Sequence, residues 1–324
     1  MTRRVARGAI PLAVLIVAGC LGKTTDSSAP LDILSPGKWV ELAPMPTARQ
    51  EVAVAELNGR VFVIGGFGPD NEAVATVEVY DPASNSWETR TPLPAPTHHA
   101  AAAVIAGRLF VVGGFGGGRL SWTPLRTVYE YDEARSSWAT RAPLRQARGA
   151  LAVVALGGRL HAVGGSGDDA SAAHEIYEPT PDRWTDAPPM PTARDHLAAV
   201  AFQDKLWAIG GRTSFVGTQF AAVEIYDPAS NSWSTGLPLP TARGGLAAAA
   251  LGDRVYVFGG EAPLRIFSAN EMYEAAGNRW IGKDPMRTPR HGVGAAVVGS
   301  RIYVPGGGAQ PGDASTNVNE AYVP

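Results

Sequence analysis

The chain has 324 residues, 38 of them glycine and 26 proline, with 45% apolar residues and a formal charge of −2 at neutral pH. Long apolar helical patterns are missing after residue 20, so the composition points to a turn-rich all-β fold, and the mild acidity argues against a general nucleic-acid binder. Cys20 is the one cysteine, which excludes an intramolecular disulfide and leaves stability to a packed core.

Arg3, Arg4 and Arg7 precede an apolar run from Ala9 to Ala18, the layout of a cleaved export signal and too short to span a bilayer. Val17-Ala18-Gly19-Cys20 resembles a bacterial lipobox. That resemblance implies removal of residues 1–19, lipidation of Cys20 and attachment to the cell envelope through the lipid alone. Leu21 stands where an inner-membrane retention signal carries Asp, which favours the outer membrane. The alternative is an ordinary secretory signal. Residues 20–36 are mostly small and polar and are expected to form a flexible tether. Loss of residues 1–19 removes three arginines and no acid, taking the charge from −2 to −5.

From residue 37 a pattern repeats six times. Each unit has Trp, then Pro five residues on, then Arg five further, then a diglycine sixteen later; the first set is Trp39, Pro44, Arg49 and Gly65-Gly66. The diglycines recur at intervals of 48, 51, 46, 49 and 47 residues, and the Arg position fails once, at Thr97. Tyrosines at 80, 131, 177, 226 and 273 each lie seven residues before a Trp, while Tyr322 ends the series with no Trp after it. An internal repeat of this period predicts stacked units in one domain, residues 37–324. Each unit reads as four strands: a small-residue strand such as Ala100 to Ala106, a two-residue turn such as Asn58-Gly59, a strand closing on diglycine, a strand closing on Tyr, and a strand opened by Trp.

Small residues on one strand and aromatics on the outer two suit blades that are narrow at an axis and broad outside. The diglycine, the Tyr-Asp and the Trp at this spacing resemble the kelch family, which implies a six-bladed β-propeller of four-stranded kelch blades. The last unit lacks its fourth strand and Trp39 to Leu42 lacks a preceding unit, so the N-terminal strand is expected to close the ring.

The repeated Trp, Tyr, Pro and diglycine positions read as packing. Only the diglycine-to-Tyr interval varies, at 15, 18, 13, 16, 14 and 16 residues, which places the variable loops on the same face as the repeated Arg. Two roles are open for Arg49, Arg148, Arg194, Arg243 and Arg290: bridging blades through backbone carbonyls, or lining the axial mouth for an anionic glycan, peptide or protein. Resemblance to kelch domains that bind acidic peptides supports the second. Around the ring the candidate contacts are His98, His99, His196, His291, Arg119, Trp122 and Arg212, with Phe115, Phe215 and Phe220 nearby. His98, His99, His196 and His291, with Glu51 and Asp195 nearby, could converge on a divalent metal at the axis. No two of these histidines have helical ligand spacing, so the favoured reading is no metal and no other cofactor.

No nucleophile signature stands out, and a binding module, monomeric and without nucleic-acid partners, is the favoured reading. The alternative comes from resemblance to bacterial periplasmic kelch proteins that interconvert sialic-acid anomers. In that case Glu51, Asp195 and Glu261 would supply the acid/base pair.

Overall fold

The computed structural model describes residues 37–118, 121–214, 216–312 and 314–324. The chain divides into residues 1–33 and 34–324, and the described residues all belong to the second unit. The export signal, Cys20 and the tether lie outside the described residues, as do Arg119 and Phe215.

Six four-stranded antiparallel sheets follow one another along the chain. Blade one runs Ala53–Leu57, Arg60–Ile64, Val77–Asp81 and Ser86–Arg90, each strand beside the next in sequence. Asn58 and Gly59, with φ of 52° and 77°, supply the left-handed pair that a two-residue hairpin turn requires. The sixth sheet places Lys38–Glu41 beside Asn319–Val323, completing the last blade with the start of the domain.

The closing strand is equivalent to the other fourth strands. Trp39 sits opposite Tyr322, as Trp87 sits opposite Tyr80 and Trp138, Trp184, Trp233 and Trp280 sit opposite Tyr131, Tyr177, Tyr226 and Tyr273. Each indole N–H also reaches back to the preceding blade. Trp87 donates to the Ala43 carbonyl, and Trp138, Trp184, Trp233 and Trp280 donate to those of Thr91, Ala142, Pro188 and Leu237. Trp39 donates to the Asp284 carbonyl at 2.8 Å and closes the series. The repeated Trp thus packs on its own blade and ties that blade to its neighbour.

The diglycines serve close approach. Both residues of Gly65-Gly66 have positive φ, and the Gly66 N–H donates to the Thr97 carbonyl of the next blade at 2.9 Å. A Cβ on Gly65 would lie 2.4 Å from that oxygen, so a side chain there would push the blades apart. The small-residue strands face the axis, where Ala55, Ala103, Val154, Val200, Ala250 and Ala296 from the six blades line one opening. Apolar side chains fill the gaps between blades, as where Phe62, Val79, Leu109 and Tyr131 pack together.

The five repeated arginines lie inside this framework, not at the mouth. Arg49, Arg148, Arg194, Arg243 and Arg290 are at most 1% exposed. Each guanidinium pairs within its own blade with a glutamate two residues before the repeated Tyr: Glu78 at 2.8 Å, Glu175 at 3.1 Å, Glu224 at 3.2 Å, Glu271 at 2.7 Å and Glu320 at 2.9 Å. Backbone carbonyls take further N–H groups, as Gly65 does from Arg49 and Gly164 from Arg148. The structure gives these side chains neither of the two roles open from sequence: they bond carbonyls of their own blade instead of bridging neighbouring blades, and their burial keeps them from a ligand. Blade two, with Thr97 in place of Arg, keeps its carboxylate: Glu130 pairs instead with Arg108 at 3.3 Å and Arg141 at 2.7 Å.

Candidate functional site

One and two positions past each Arg the chain turns over the axis, and these positions form the site. The second of them is left-handed in every blade: Glu51, His99, Ala150 and His196 have φ of 50° to 54°, and Gly245 and Gly292 have 64° and 57°. Their backbones bond head to tail. His99 N–H donates to the Glu51 carbonyl, Ala150 to His99, His196 to Ala150, Gly245 to His196, Gly292 to Gly245 and Glu51 to Gly292, at 2.8 to 3.0 Å. A closed ring of six hydrogen bonds therefore surrounds the axis. Three members have small side chains or none, and the other three carry Glu51, His99 and His196. Left-handed backbone at a non-glycine residue is uncommon and concentrates at functional sites.

Beside this ring lies a second one. The first position past the Arg bridges to the residue directly after the diglycine, giving the pairs Gln50/Phe67, His98/Phe115, Gly149/Ser166, Asp195/Arg212, Gly244/Glu261 and His291/Gly308. Members of both rings, among them Glu51, His99 and His196 from the first and Phe67, Phe115, Asp195, Arg212, Glu261 and His291 from the second, line a cavity of about 490 Å³ at the mouth, with Trp122, Asp168, Asp169, Thr213 and Ser214 from the longer loops.

One wall of the cavity is a chain of acids and bases. His196 Nδ1 lies 2.6 Å from Asp195, whose oxygen is 3.7 Å from Arg212 Nε. Arg212 Nη1 reaches Glu261 at 2.6 Å, and His291 Nδ1 stands 3.5 Å from Glu261 and 3.3 Å from Glu51. Glu51 then meets His99 Nε2 at 3.2 Å, and His99 Nδ1 meets His98 Nδ1 at 2.6 Å. Burial pushes the Glu51 carboxyl up, but His99, His291 and His196 outweigh it and hold the group well below the usual carboxylate range. Burial depresses His99 well below an ordinary histidine against the pull of Glu51, and depresses His98 to about 4. For His291 burial works in the same direction, yet Glu51 and Glu261 prevail and raise it.

An aromatic stack adjoins this chain at His98 and His99. His98 stacks on Phe67 with ring centroids 3.9 Å apart and on Phe115 at 5.6 Å. Trp122 leans on this stack, 5.4 Å from Phe115 and 4.8 Å from His99, and remains 45% exposed.

Of the residues expected from sequence, His98, His99, His196, His291, Trp122, Arg212, Glu51, Asp195 and Glu261 converge here, with His98 behind the lining as part of the stack. His161 and His174, which show no companion pattern in sequence, are buried partners of each other on blade three at 2.9 Å, away from the mouth. Phe67, Asp168, Asp169, Thr213 and Ser214 were not expected. For Phe67 a signal existed: the position directly after the diglycine holds Phe67, Phe115, Ser166, Arg212, Glu261 and Gly308, and it is far more varied than its surroundings.

A family model described as the kelch motif matches residues 48–94, 96–145 and 193–239. An F-box/kelch-repeat protein of Arabidopsis thaliana is 37% identical over 78 residues, which is 23% of this chain and 21% of that protein. Kelch-like protein 21 of Danio rerio is 41% identical over 64 residues, covering 19% of this chain and 10% of that protein. Kelch-like protein 35 of Mus musculus is 27% identical over 139 residues, covering 43% and 23%. The matches thus span less than a quarter of each of these relatives. The solved structure of YjhT superimposes with a TM-score of 0.73 at 17% identity, over 86% of this chain and 95% of that one, a likeness of fold.

Proposed function

Starting from the chain's identity as a kelch-repeat β-propeller, we propose that it is a binding module whose mouth cavity takes a hydroxyl-rich ligand such as the end of a glycan. The observation that carries this reading is the pairing of two unlike linings in one cavity: the aromatic Phe67, Phe115 and Trp122 with the charged Glu51, Asp195, Arg212 and Glu261. A sugar ring offers an apolar C–H face to aromatics and hydroxyls to fixed acceptors and donors. The ligand charge expected from sequence changes with the arginines. Among the described lining residues there are five carboxylates, Glu51, Asp168, Asp169, Asp195 and Glu261, and one guanidinium, Arg212, which already serves Glu261. Such a lining favours hydroxyl donors over anions.

Trp122→Ala should weaken binding of an oligosaccharide about tenfold, the scale of one lost aromatic contact, with no change in melting temperature. Calorimetric titration of both proteins measures this, and equal affinities would move the ligand off the aromatic wall.

A second reading, a sugar epimerase or mutarotase, is favoured by one observation: Glu51, Asp195 and Glu261 line the same cavity, each held by a histidine or arginine. Accelerated exchange between anomers of a bound sugar would distinguish it from binding alone.

For location we propose the bacterial envelope, through a lipid on Cys20. Metabolic labelling with a fatty-acid analogue should mark the chain and be lost in Cys20→Ser; labelling unaffected by that change would remove the anchor from the account.

A further inference from the structure

We propose that Glu51, His99 and His196 bind one divalent first-row transition-metal ion at the axis of the mouth. Their ligand atoms all lie within 4.8 Å of one another, and the three residues occupy the same ring position in blades one, two and four. A tetrahedral ion about 2.1 Å from each ligand needs them about 3.4 Å apart. Glu51 and His99 already meet this at 3.2 Å, so the main adjustment falls on His196.

The imidazoles are held as metal ligands are held. His99 has its Nδ1 engaged by His98 at 2.6 Å, and His196 has its Nδ1 engaged by Asp195 at 2.6 Å, which leaves Nε2 of each for the axis. His196 Nε2 is buried with no hydrogen-bond partner, on a side chain only 9% exposed. A buried ring nitrogen of this kind needs a partner, and a cation between it, His99 Nε2 and Glu51 would supply one. The second Glu51 oxygen is steadied by His291 at 3.3 Å.

Two imidazoles and one carboxylate suit zinc, iron, cobalt, nickel or copper and do not suit magnesium or calcium. Three protein ligands leave at least one coordination position for a molecule in the cavity. Ligands contributed one per blade leave no short spacing in the sequence, which is why an axial metal was only the weaker reading there. This inference stands apart from the identity of whatever fills the cavity above.

The test is a titration of the full-length chain, stripped with chelator, using Co²⁺ alone and then Zn²⁺ as competitor. The expected result is a visible d–d band saturating at one Co²⁺ per chain and abolished by Zn²⁺. Asp195→Asn, which leaves all three ligands in place and weakens the grip on His196, should weaken Co²⁺ binding about 10- to 100-fold, and His99→Ala and His196→Ala should weaken it more. His161→Ala, on blade three away from the mouth, should leave it unchanged. No saturable band in the wild-type chain, or a band of equal affinity in the His99 and His196 variants, would overturn the proposal. Should an alanine variant fail to fold by circular dichroism, the wild-type spectrum and Asp195→Asn still decide.

Discussion

Arg243→Ala is expected to destabilise the propeller by about 3–5 kcal/mol, a large share of the stability of an ordinary domain. Arg243 is fully buried, donates from Nε to the Gly259 carbonyl at 2.6 Å and from Nη1 to the Thr241 carbonyl at 2.8 Å, and pairs with Glu271 at 2.7 Å. Burial lowers its pKa and the Glu271 charge opposes that shift, so the pair holds a charge that neither member would keep alone in this interior. Truncation strands the Glu271 carboxylate, left with only the Thr241 hydroxyl, and frees two carbonyls. Arg243→Met combined with Glu271→Met removes both charges and should recover much of the loss, because the penalty comes from a lone buried ion. Urea denaturation of the two variants measures this. A loss below about 1 kcal/mol for Arg243→Ala would mean that the guanidinium is not structural.

Deleting residues 37–43 should lower the melting temperature by on the order of 10 °C and promote self-association. The segment supplies all four register pairs along Asn319–Val323 and inserts Trp39, whose ring lies 5.3 Å from Tyr322 and 5.4 Å from Phe258. Burying an indole of this size is worth about 4–6 kcal/mol at 25 cal/mol per Å², before the lost hydrogen bonds are counted. Without it, blade six presents an unpaired edge and the tie from Trp39 to Asp284 is gone. Differential scanning calorimetry with light scattering reads both effects. A melting temperature within a few degrees of the parent chain would show that the ring does not depend on this closure.

The framework was legible because each repeated residue has one geometric task. A Trp seven residues after a Tyr is the register of two neighbouring strands, and a Tyr322 with no Trp after it called for Trp39. The arginine role stayed open because its decisive partner lies 27 to 30 residues away. The Glu two residues before each Tyr, at 78, 175, 224, 271 and 320, was present in the sequence but unpaired until the fold brought it to the Arg. The mouth was nearly found. Its residues sit one and two places past the Arg, yet only the ring of hydrogen bonds shows why position 51 and its equivalents face the axis while the Arg turns inward. Asp168 and Asp169 could not have been placed, since loops outside the repeat carry no period to align them.

These placements separate two jobs. The Arg–Glu pairs, the indole ties and the diglycines hold the blades, and they recur in all or nearly all units. Ring positions free of that work differ from blade to blade, running from Gly244 and Gly245 to Asp195 and His196. A rigid scaffold therefore presents a mouth whose chemistry can change without cost to the framework, the condition under which binding sites diversify.

The central claim is that ligands bind against both the aromatic and the charged lining of the mouth. The most direct measurement is saturation-transfer proton NMR on the protein with neutral sugars, acidic sugars and acidic peptides in turn, repeated with Trp122→Ala and Asp195→Asn. The account predicts transfer to sugar C–H protons, neutral sugars included, that fades in both variants. Transfer to acidic peptides alone, or sugar signals unchanged in both variants, would contradict it.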